Sequence, residues 1–395
     1  GTTADIGIIV GGKPLTSVEG QVLKYPIRIP MIDVVSIGAG GGSIAWLDEA
    51  SSLHVGPQSA GAVPGPACYG KGGTEPTVTD ASIVLGYLNP DYFAGGDVPL
   101  DPDAAHRALE TMGARLGMSK VRVAHGIHTI LNNRMADQIR LLTISRGHDP
   151  RDFALVVLGG AGPLHGSPLA RALRMPRVIV PFAPGVLSAF GLLVSDVEHD
   201  QSITFRHLAE QDALPALVEA FAKLDKSGGK QMQRETVSDE EVGVRRYAEM
   251  RYVGQSYELE IPIDAHFDEA LVPALIEAFH ETHERIYRQH SETAKIEFVN
   301  LRTVHFARLP KLQPTPPKPG PSWKEAQSGT RRIYLADKDE NTEVPVYRRD
   351  LLPIDTECTG PFIIEQADTT TVVLPGETAR LERHGNLIVS IGRDG

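Results

Sequence analysis

Residues 153–165 read FALVVLGGAGPLH, a pattern that predicts a strand, a turn and a helix in succession. The apolar run 153–158 has the length and composition of a buried strand. A glycine turn follows at residues 159–162, and Pro163 suits the first turn of a helix because its missing N–H would have no partner there. We expect the helix to extend to Leu173. A glycine turn that opens a helix presents free backbone N–H groups, which can bind an anion or a nucleotide.

The glycine turn has two interpretations. It departs from the dinucleotide-binding fingerprint, because His165 stands where the third glycine would follow Gly160 and Gly162. No acidic residue comes at the right distance on a second strand, so a nicotinamide cofactor is disfavoured. A tight turn needed only for packing remains the alternative. The preferred role is contact with an adenosine group by Gly159, Gly160, Ala161 and Gly162.

Helical periodicity dominates on both sides of this unit. Residues 104–116 predict one helix, and Ser119 is a suitable N-cap for a longer helix that reaches Ser145. Residues 178–180 predict the next strand, and residues 185–193 the start of a further helix. Strands and helices that alternate in this way predict an α/β fold.

The first hundred residues are β-rich instead. Residues 6–10 and 13–16 flank a Gly-Gly pair and predict a hairpin, and residues 44–48 and 53–55 predict another.

The rest of the chain predicts three further regions. Residues 200–310 alternate helix and strand, with residues 250–263 strand-like and residues 270–289 helical. Proline is dense from residue 309 onward, which is typical of a linker. The expected domains are therefore an α/β core, an α+β region, a proline-rich linker and a small β-rich C-terminal module, at residues 1–200, 201–308, 309–324 and 325–395.

Composition excludes several classes of protein. The 395 residues carry a net charge of −11, which disfavours sequence-independent binding to nucleic acid, because such binding needs Lys and Arg to replace counterions. Two cysteines are too few for a disulfide framework and fit a reducing cytoplasm. The longest uncharged stretch, residues 178–195, contains prolines and glycines that break a spanning helix, so we expect no membrane segment.

The first five residues, Gly1-Thr2-Thr3-Ala4-Asp5, resemble a phosphate site. Small residues at a strand end expose successive N–H groups and hydroxyls, which can hold phosphate oxygens at Gly1, Thr2 and Thr3. The Asp5 carboxylate can hold the hydrated Mg²⁺ that accompanies a nucleotide, and we assign it both a metal-binding and a catalytic role. An ordinary strand with a polar edge is the alternative.

The glycine cluster at residues 38–43 is not a P-loop, because it lacks the Lys-Ser/Thr ending and leads into a strand. Gly40 and Gly41 are candidates for close backbone approach to the cofactor. Approach to a neighbouring segment is the alternative.

Several other polar residues are ambiguous. Asp80, among hydroxyl side chains, is a candidate catalytic residue that would bind a metal or orient water, and turn capping is its alternative. Cys68 is taken as structural. His125 and His128 have a chelating i, i+3 spacing but lack an accompanying carboxylate, which favours packing. His165, at a helix start, would be neutral and could donate or accept a hydrogen bond near a ligand.

Taken in order, these motifs resemble the hydantoinase A and 5-oxoprolinase family over nearly the whole chain. The matching segments are Gly1-Thr2-Thr3-Ala4-Asp5, Ile37-Gly38-Ala39-Gly40-Gly41-Gly42-Ser43, Val55-Gly56-Pro57-Gln58-Ser59-Ala60-Gly61-Ala62, Pro64-Gly65-Pro66-Ala67-Cys68-Tyr69-Gly70, Gly73 with Pro76-Thr77-Val78-Thr79-Asp80-Ala81, Arg134-Met135-Ala136, Gly159-Gly160-Ala161-Gly162-Pro163-Leu164-His165, Leu187-Ser188-Ala189, Arg251-Tyr252-Val253-Gly254-Gln255 and Thr370-Thr371-Val372-Val373-Leu374-Pro375-Gly376.

The resemblance implies a fold and an activity. The family is similar to actin, hexokinase and Hsp70, in which two ribonuclease-H-like lobes clamp ATP. It includes ATP-dependent 5-oxoprolinases, N-methylhydantoinases and subunits of acetone and acetophenone carboxylases. The implied role is the nucleotide-binding part of an ATP- and Mg²⁺-dependent hydrolase of cyclic amides such as hydantoin or 5-oxoproline. A ketone carboxylase subunit and a non-catalytic assembly fragment are the alternatives.

The resemblance also implies partners. Family members carry an earlier Asp-Gly-Gly-Thr-type phosphate loop in an N-terminal domain, and this chain has no such loop. We therefore expect a missing N-terminal domain, no turnover by this chain alone, a hydantoinase B-like subunit or domain, and an oligomeric assembly.

Overall fold

The chain folds into two compact units. The computed structural model describes residues 1–17, 21–22, 25–26, 31–235, 242–264, 266–309, 311–312 and 318–392. The first unit combines the described residues of Gly1–Leu187 with those of Pro314–Gly395, and the second lies within Ser188–Gln313. The first unit is therefore built from both ends of the sequence.

The strands of the described residues are, in chain order, β1 (Ala4–Gly7), β2 (Ile9–Val10), β3 (Lys13–Pro14), β4 (Thr16–Ser17), β5 (Gln21–Val22), β6 (Tyr25–Pro26), β7 (Met31–Ile32), β8 (Val34–Ile37), β9 (Ser43–Leu47), β10 (Leu53–Ser59), β11 (Leu155–Val156), β12 (Arg177–Val180), β13 (Val197–Leu208), β14 (Val242–Tyr252), β15 (Leu259–Pro262), β16 (Ile296–Ala307), β17 (Gln327–Leu335), β18 (Glu340–Arg348), β19 (Cys358–Thr359), β20 (Phe362–Gln366), β21 (Thr369–Val373), β22 (Thr378–Leu381) and β23 (Leu387–Ser390). The α-helices are α1 (Val78–Val84), α2 (Pro102–Leu116), α3 (Lys120–Ser145), α4 (Gly162–Leu173), α5 (Leu187–Leu193), α6 (Leu214–Arg234), α7 (Leu271–Tyr287) and α8 (Trp323–Ala326).

The predicted strand–turn–helix unit is confirmed, although its strand is shorter than expected. Only β11 forms within residues 153–158, and it pairs in parallel with β12, Leu155 opposite Val178. Helix α4 packs tightly on these strands, since a Cβ at Gly166 would lie 2.9 Å from Val178 Cγ1. This close approach holds the glycine turn at one edge of a packed sheet.

The C-terminal tail is not a separate β module, and that prediction is wrong. Strand β23 pairs antiparallel with β12, Val389 opposite Val178, and the sheet order is β11-β12-β23-β22-β19. A second sheet has the order β17-β18-β20-β21 and belongs to the same unit. The tail's buried apolar side chains, such as Leu387 and Val389, belong to the same hydrophobic core as Val178 of β12 and do not form a core of their own.

Helix α3 runs through the core of the first unit. The Ser119 side chain accepts a hydrogen bond from Arg122 N, which confirms the predicted N-cap. Its apolar stripe is fully or almost fully buried at Val123, Ile127 and Leu131. The apolar residues whose spacing predicts the helix therefore form the face that packs against the core.

The two predicted hairpins are present with different limits. Strands β2 and β3 flank Gly11 and Gly12, whose φ angles of 59° and 78° are those of a tight hairpin turn. Strand β1 does not continue into this hairpin, because it pairs with β8, Asp5 opposite Ser36. Strands β9 and β10 form the second hairpin.

The second unit is an antiparallel sheet with helices. The strand order is β13-β16-β14-β15, and Phe221 of α6 and Phe279 of α7 are buried in its core with Phe298. Residues 250–263 are not one strand, because β14 ends at Tyr252 and β15 folds back along it after a turn at Gly254, whose φ is +93°. The predicted helix over residues 270–289 is confirmed as α7.

Two further expectations concern segments between and within the units. The predicted linker, residues 309–324, lies partly outside the described residues, and its end forms α8. None of the helices in the described parts of the chain combines the length and apolarity that a membrane span requires. The fold class is mixed α/β with several sheets, as expected.

Candidate functional site

The first unit contains a cavity of about 510 Å³. Its walls come from several parts of the sequence that are far apart. They include Gly1, Gly41, the pair Gly160 and Ala161, and residues 366–370. The structure therefore brings two of the glycine motifs predicted to bind a cofactor, and the first residue of a third, to one cavity.

One wall is formed by the chain start packed on the cluster at residues 38–43. Gly42 N donates a hydrogen bond to the Gly1 carbonyl over 3.1 Å, and the Thr79 hydroxyl donates to the Gly41 carbonyl over 2.9 Å. A Cβ at Gly40 would overlap the Gly1 carbonyl oxygen. Gly40 is thus required by a neighbouring segment, the alternative interpretation, whereas Gly41 lines the cavity itself.

The remaining residues of the first motif lie away from this wall. The Thr2 hydroxyl is 3.1 Å from Ser59 Oγ, and neither Thr2 nor Thr3 is among the lining residues. Asp5 lies exposed on β1 and accepts a hydrogen bond from the Ser36 hydroxyl. Because side chains alternate along a strand, and Ala4 and Ile6 pack on the core, Asp5 points to the opposite face.

The opposite wall is the turn before α4. Gly159 has a φ of +81°, and its N–H donates to the Pro184 carbonyl over 2.7 Å. The Gly160 carbonyl accepts from the Thr369 hydroxyl over 2.8 Å. Helix α4 begins at Gly162 without a side-chain cap, so its positive N-terminal end is left to the cavity side of the turn.

Sequence reasoning missed the tail residues that hold residues 180–185, the segment to which Gly159 of the turn donates its hydrogen bond. Asp368 lines the cavity and accepts from Gly185 N over 2.6 Å. Arg349 is 6% exposed and donates to the carbonyls of Val180, Pro181 and Gly385. Burial lowers the pKa of its guanidinium to about 10. No local pattern marks these residues, because their role depends on strands that pair across more than half of the sequence.

Part of the cavity lining is aromatic. Tyr69, Tyr92 and Phe93 line it, and the rings of Tyr69 and Phe93 are 6.1 Å apart. Flat aromatic faces beside small backbone-lined walls suit a ligand with a planar ring and a polar chain.

Asp80 lies outside the cavity and is fully buried. Its carboxylate accepts hydrogen bonds from Ala67 N, Cys68 N and both N and Oγ1 of Thr77, at 2.7–3.2 Å. With Thr77 it forms a capping box at the start of α1. This geometry supports the turn-capping alternative, because both carboxylate oxygens already accept hydrogen bonds from the protein. Burial raises the pKa of the neighbouring Cys68 thiol, as a structural cysteine requires.

The candidate histidines do not form a chelating pair. His128 Nε2 lies 2.9 Å from Ser82 Oγ, whereas the His125 ring contacts Tyr334. Within the described ranges no three His, Cys, Asp or Glu side chains converge to hold a metal ion. His165 is buried, lines the cavity, and has its pKa lowered to about 4 by that burial, so the expected neutral form is the one present at pH 7.

Comparison with known proteins assigns both halves of the chain. Residues 1–201 match the model of the hydantoinase/oxoprolinase family, and residues 205–389 match the model of the hydantoinase/oxoprolinase C-terminal domain.

Individual relatives extend the match to nearly the full chain. The caprolactamase subunit alpha of Pseudomonas jessenii is 37% identical over 97% of this chain and 56% of its own length. The crystal structure of the ATP-dependent caprolactamase from the same organism superposes with a TM-score of 0.82 at 35% identity, over 100% of this chain and 58% of that one. A nucleotide-free acetone carboxylase structure, from work on ATP-dependent acetone carboxylation, superposes with a TM-score of 0.82 at 28% identity. The match covers 98% of this chain and 57% of that one.

The chain thus spans somewhat more than half of the length of these relatives. Two family models match in sequence order, and the identity to one relative is well above 30% along almost all of the chain. The chain belongs to the hydantoinase/oxoprolinase family.

Proposed function

We propose that this chain is the nucleotide-binding part of an ATP-dependent cyclic-amide hydrolase, in which ATP activates the substrate carbonyl by phosphorylation. The observation that carries the proposal is the shared cavity, where Gly1 and Gly41 lie on one wall and Gly160 and Ala161 on another. Its volume of about 510 Å³ falls within the usual range of small-molecule sites, roughly 300–1,000 Å³.

Different walls of the cavity contact different parts of the nucleotide. Backbone at Gly1 and Gly41 can approach phosphate oxygens closely because no Cβ intervenes. The turn at Gly160 and Ala161 faces the adenosine. The planar base would then lie near the aromatic lining at Tyr92 and Phe93.

Asp5 would contact a bound Mg²⁺ only indirectly, through water. Asp5 lies four residues along an extended segment from Gly1, about 13 Å at a strand's rise per residue. A carboxylate that holds Mg²⁺ through one bound water lies within about 5 Å of the ion, so this role requires the triphosphate to extend from Gly1 along β1 towards Asp5.

The fold proposal is a ribonuclease-H-like lobe of the actin, hexokinase and Hsp70 type. Support comes from the five-stranded mixed sheet with α4 packed on β12 and the glycine turn at its edge. Superposition of a nucleotide-bound experimental structure on such lobes tests the proposal.

The competing activity is an ATP-dependent ketone carboxylase subunit. The acetone carboxylase structure matches with the same TM-score as the caprolactamase structure, 0.82. Sequence identity separates them, at 35% for the caprolactamase and 28% for the carboxylase, and favours the hydrolase. Stimulation of ATP hydrolysis by bicarbonate, rather than by a cyclic amide such as caprolactam or 5-oxoproline, would reverse this order.

Partners follow from the same relatives. Because the caprolactamase relative is a subunit, we infer assembly with a hydantoinase B-like partner and with the remaining part of the enzyme. The two free cysteines support a reducing, cytoplasmic location. An ATPase assay of this chain, alone and within the complete protein, tests the prediction that the isolated chain does not turn over, and calorimetric titration with ATP measures binding in both forms. If addition of the other parts restored no ATPase activity, a non-catalytic assembly role would be favoured.

Substitution of Gly160 by valine tests the nucleotide site. The new side chain would fill the turn near the Asp368 carbonyl, 3.3 Å from its Cβ, and we expect ATP hydrolysis by the complete protein to be abolished without unfolding. Gly329→Val is the matched control, because Gly329 has open space around it and lies in β17 of the same unit. Unchanged turnover in Gly160→Val would show that the site is misassigned.

Asp5→Asn tests the metal role separately. The variant keeps the side-chain shape and loses the charge, so we expect ATP hydrolysis to be lost while the fold is kept. The Mg²⁺ concentration for half-maximal rate is the direct readout. An unchanged Mg²⁺ dependence would remove Asp5 from the mechanism and leave the nucleotide cavity standing.

A further inference from the structure

A buried polar cluster borders the cavity between helices α1, α3 and α4. It consists of Ser82, His128, Asn132 and His165, each 7% exposed or less. The two imidazole rings are stacked, with centroids 5.1 Å apart and planes at 25°. Ser82 and His165 are also cavity-lining residues, so the cluster reaches the cavity wall.

The hydrogen bonds determine that Nε2 of His128 carries a proton. The Ser82 hydroxyl donates its single proton to the Val78 carbonyl over 2.8 Å. The contact of 2.9 Å between Ser82 Oγ and His128 Nε2 must then use the imidazole as donor. His128 is therefore satisfied within the protein and has nothing to offer a ligand at Nε2.

His165 is different. Its Nδ1 lies 2.7 Å from Asn132 Oδ1, an acceptor, so Nδ1 carries the proton. In a neutral imidazole the other nitrogen, Nε2, is then a hydrogen-bond acceptor. This atom is buried and has no hydrogen-bond partner among the described residues. A buried acceptor without a partner is unfavourable in a folded protein and marks a place that a ligand can complete.

We propose that His165 Nε2 accepts a hydrogen bond from a neutral N–H donor of the bound ligand and selects the ligand by that donor. The inference rests on the proposed function, which supplies two sources of this chemistry: the exocyclic amine of adenine and the ring N–H of a cyclic amide. A carbonyl oxygen at the same place would face the Nε2 lone pair without a proton between them. The site therefore discriminates between N–H donors and isosteric acceptors or methylated groups.

Paired probes on the complete protein test the proposal and identify the source. One arm compares binding of ATP with that of purine riboside 5′-triphosphate, which lacks the exocyclic amine. The other compares caprolactam with N-methylcaprolactam. In one arm we expect the wild-type protein to bind the analogue about tenfold more weakly, which corresponds to the loss of one buried neutral hydrogen bond. In the same arm we expect His165→Phe to bind the ligand and its analogue equally well. Discrimination that is absent from the wild type in both arms, or that persists in His165→Phe, overturns the proposal.

A measurement on the unmodified protein covers the case in which His165→Phe does not fold. The ¹⁵N spectrum of the histidine rings reports the tautomer, and we expect Nε2 of His165 to be unprotonated when free and to shift on ligand binding. If ligands bind and this resonance does not move, the His165 inference fails alone. If neither ATP nor caprolactam binds the wild-type protein, the proposed function fails and the inference fails with it.

Discussion

At the scale of single residues, buried polar side chains fix segments of the chain that border the cavity. Arg349 donates to Gln366 Oε1 and to three backbone carbonyls, among them that of Val180. Arg349→Ala would leave these acceptors buried and unpaired, and we expect the free energy of unfolding of the first unit to fall by about 3 kcal/mol. Urea denaturation measures the loss. Arg332→Ala, at an exposed position of β17, should change it by less than about 0.5 kcal/mol, and equal effects would contradict the assigned role.

Asp80 belongs to the same scale, since its four accepted hydrogen bonds make it a structural residue. We expect Asp80→Asn to lower the free energy of unfolding by about 2 kcal/mol, because an amide replaces one acceptor oxygen with a donor. ATP binding by the folded variant should be unchanged in calorimetry. Asp103→Asn, at an exposed carboxylate, is the control. Loss of nucleotide binding in stable Asp80→Asn protein would restore the catalytic interpretation.

At the scale of elements, helices α3 and α4 meet through two buried imidazoles. Burial lowers the pKa of His165 from 6.5 to about 4, and burial with the nearby His165 and His125 lowers the pKa of His128. As the pH falls below 6.5, the unfolded chain takes up protons that the folded chain refuses, so stability decreases from pH 6.5 down to about 4. The titration of His165 accounts for about 3 kcal/mol of this loss of stability. His165→Phe should flatten this pH dependence, and an equally steep profile would contradict the burial argument.

Secondary structure could be predicted from the sequence where the signal lies within a few neighbouring residues. The Ser119 cap, the stripe on α3 and the Gly11-Gly12 turn are each encoded within a few residues. Prediction failed for β1 and for the tail, because strand pairing depends on partners far away in the sequence. In the candidate site the glycine motifs were visible, but Asp368 and Arg349 were not. Their function arises only when the tail strands pair with β12.

At the scale of the whole molecule, the two units have separate cores. Leu387 is fully buried in the first unit and Phe279 in the second. We expect Leu387→Ala to cost about 2–5 kcal/mol and to reduce hydrogen-exchange protection in β12 and β22. Phe279→Ala should reduce protection in β14 and β16 instead. If Leu387→Ala left β12 protected, the tail would not be part of the first core.

The central claim is that glycine-lined backbone from two distant parts of the chain holds one nucleotide. The most direct measurement is an experimental structure of the complete protein with a non-hydrolysable ATP analogue. We predict the adenosine beside Gly160 and Ala161 and the phosphates towards Gly1 and Gly41, within the same cavity. An analogue bound elsewhere, with this cavity empty, would contradict the account.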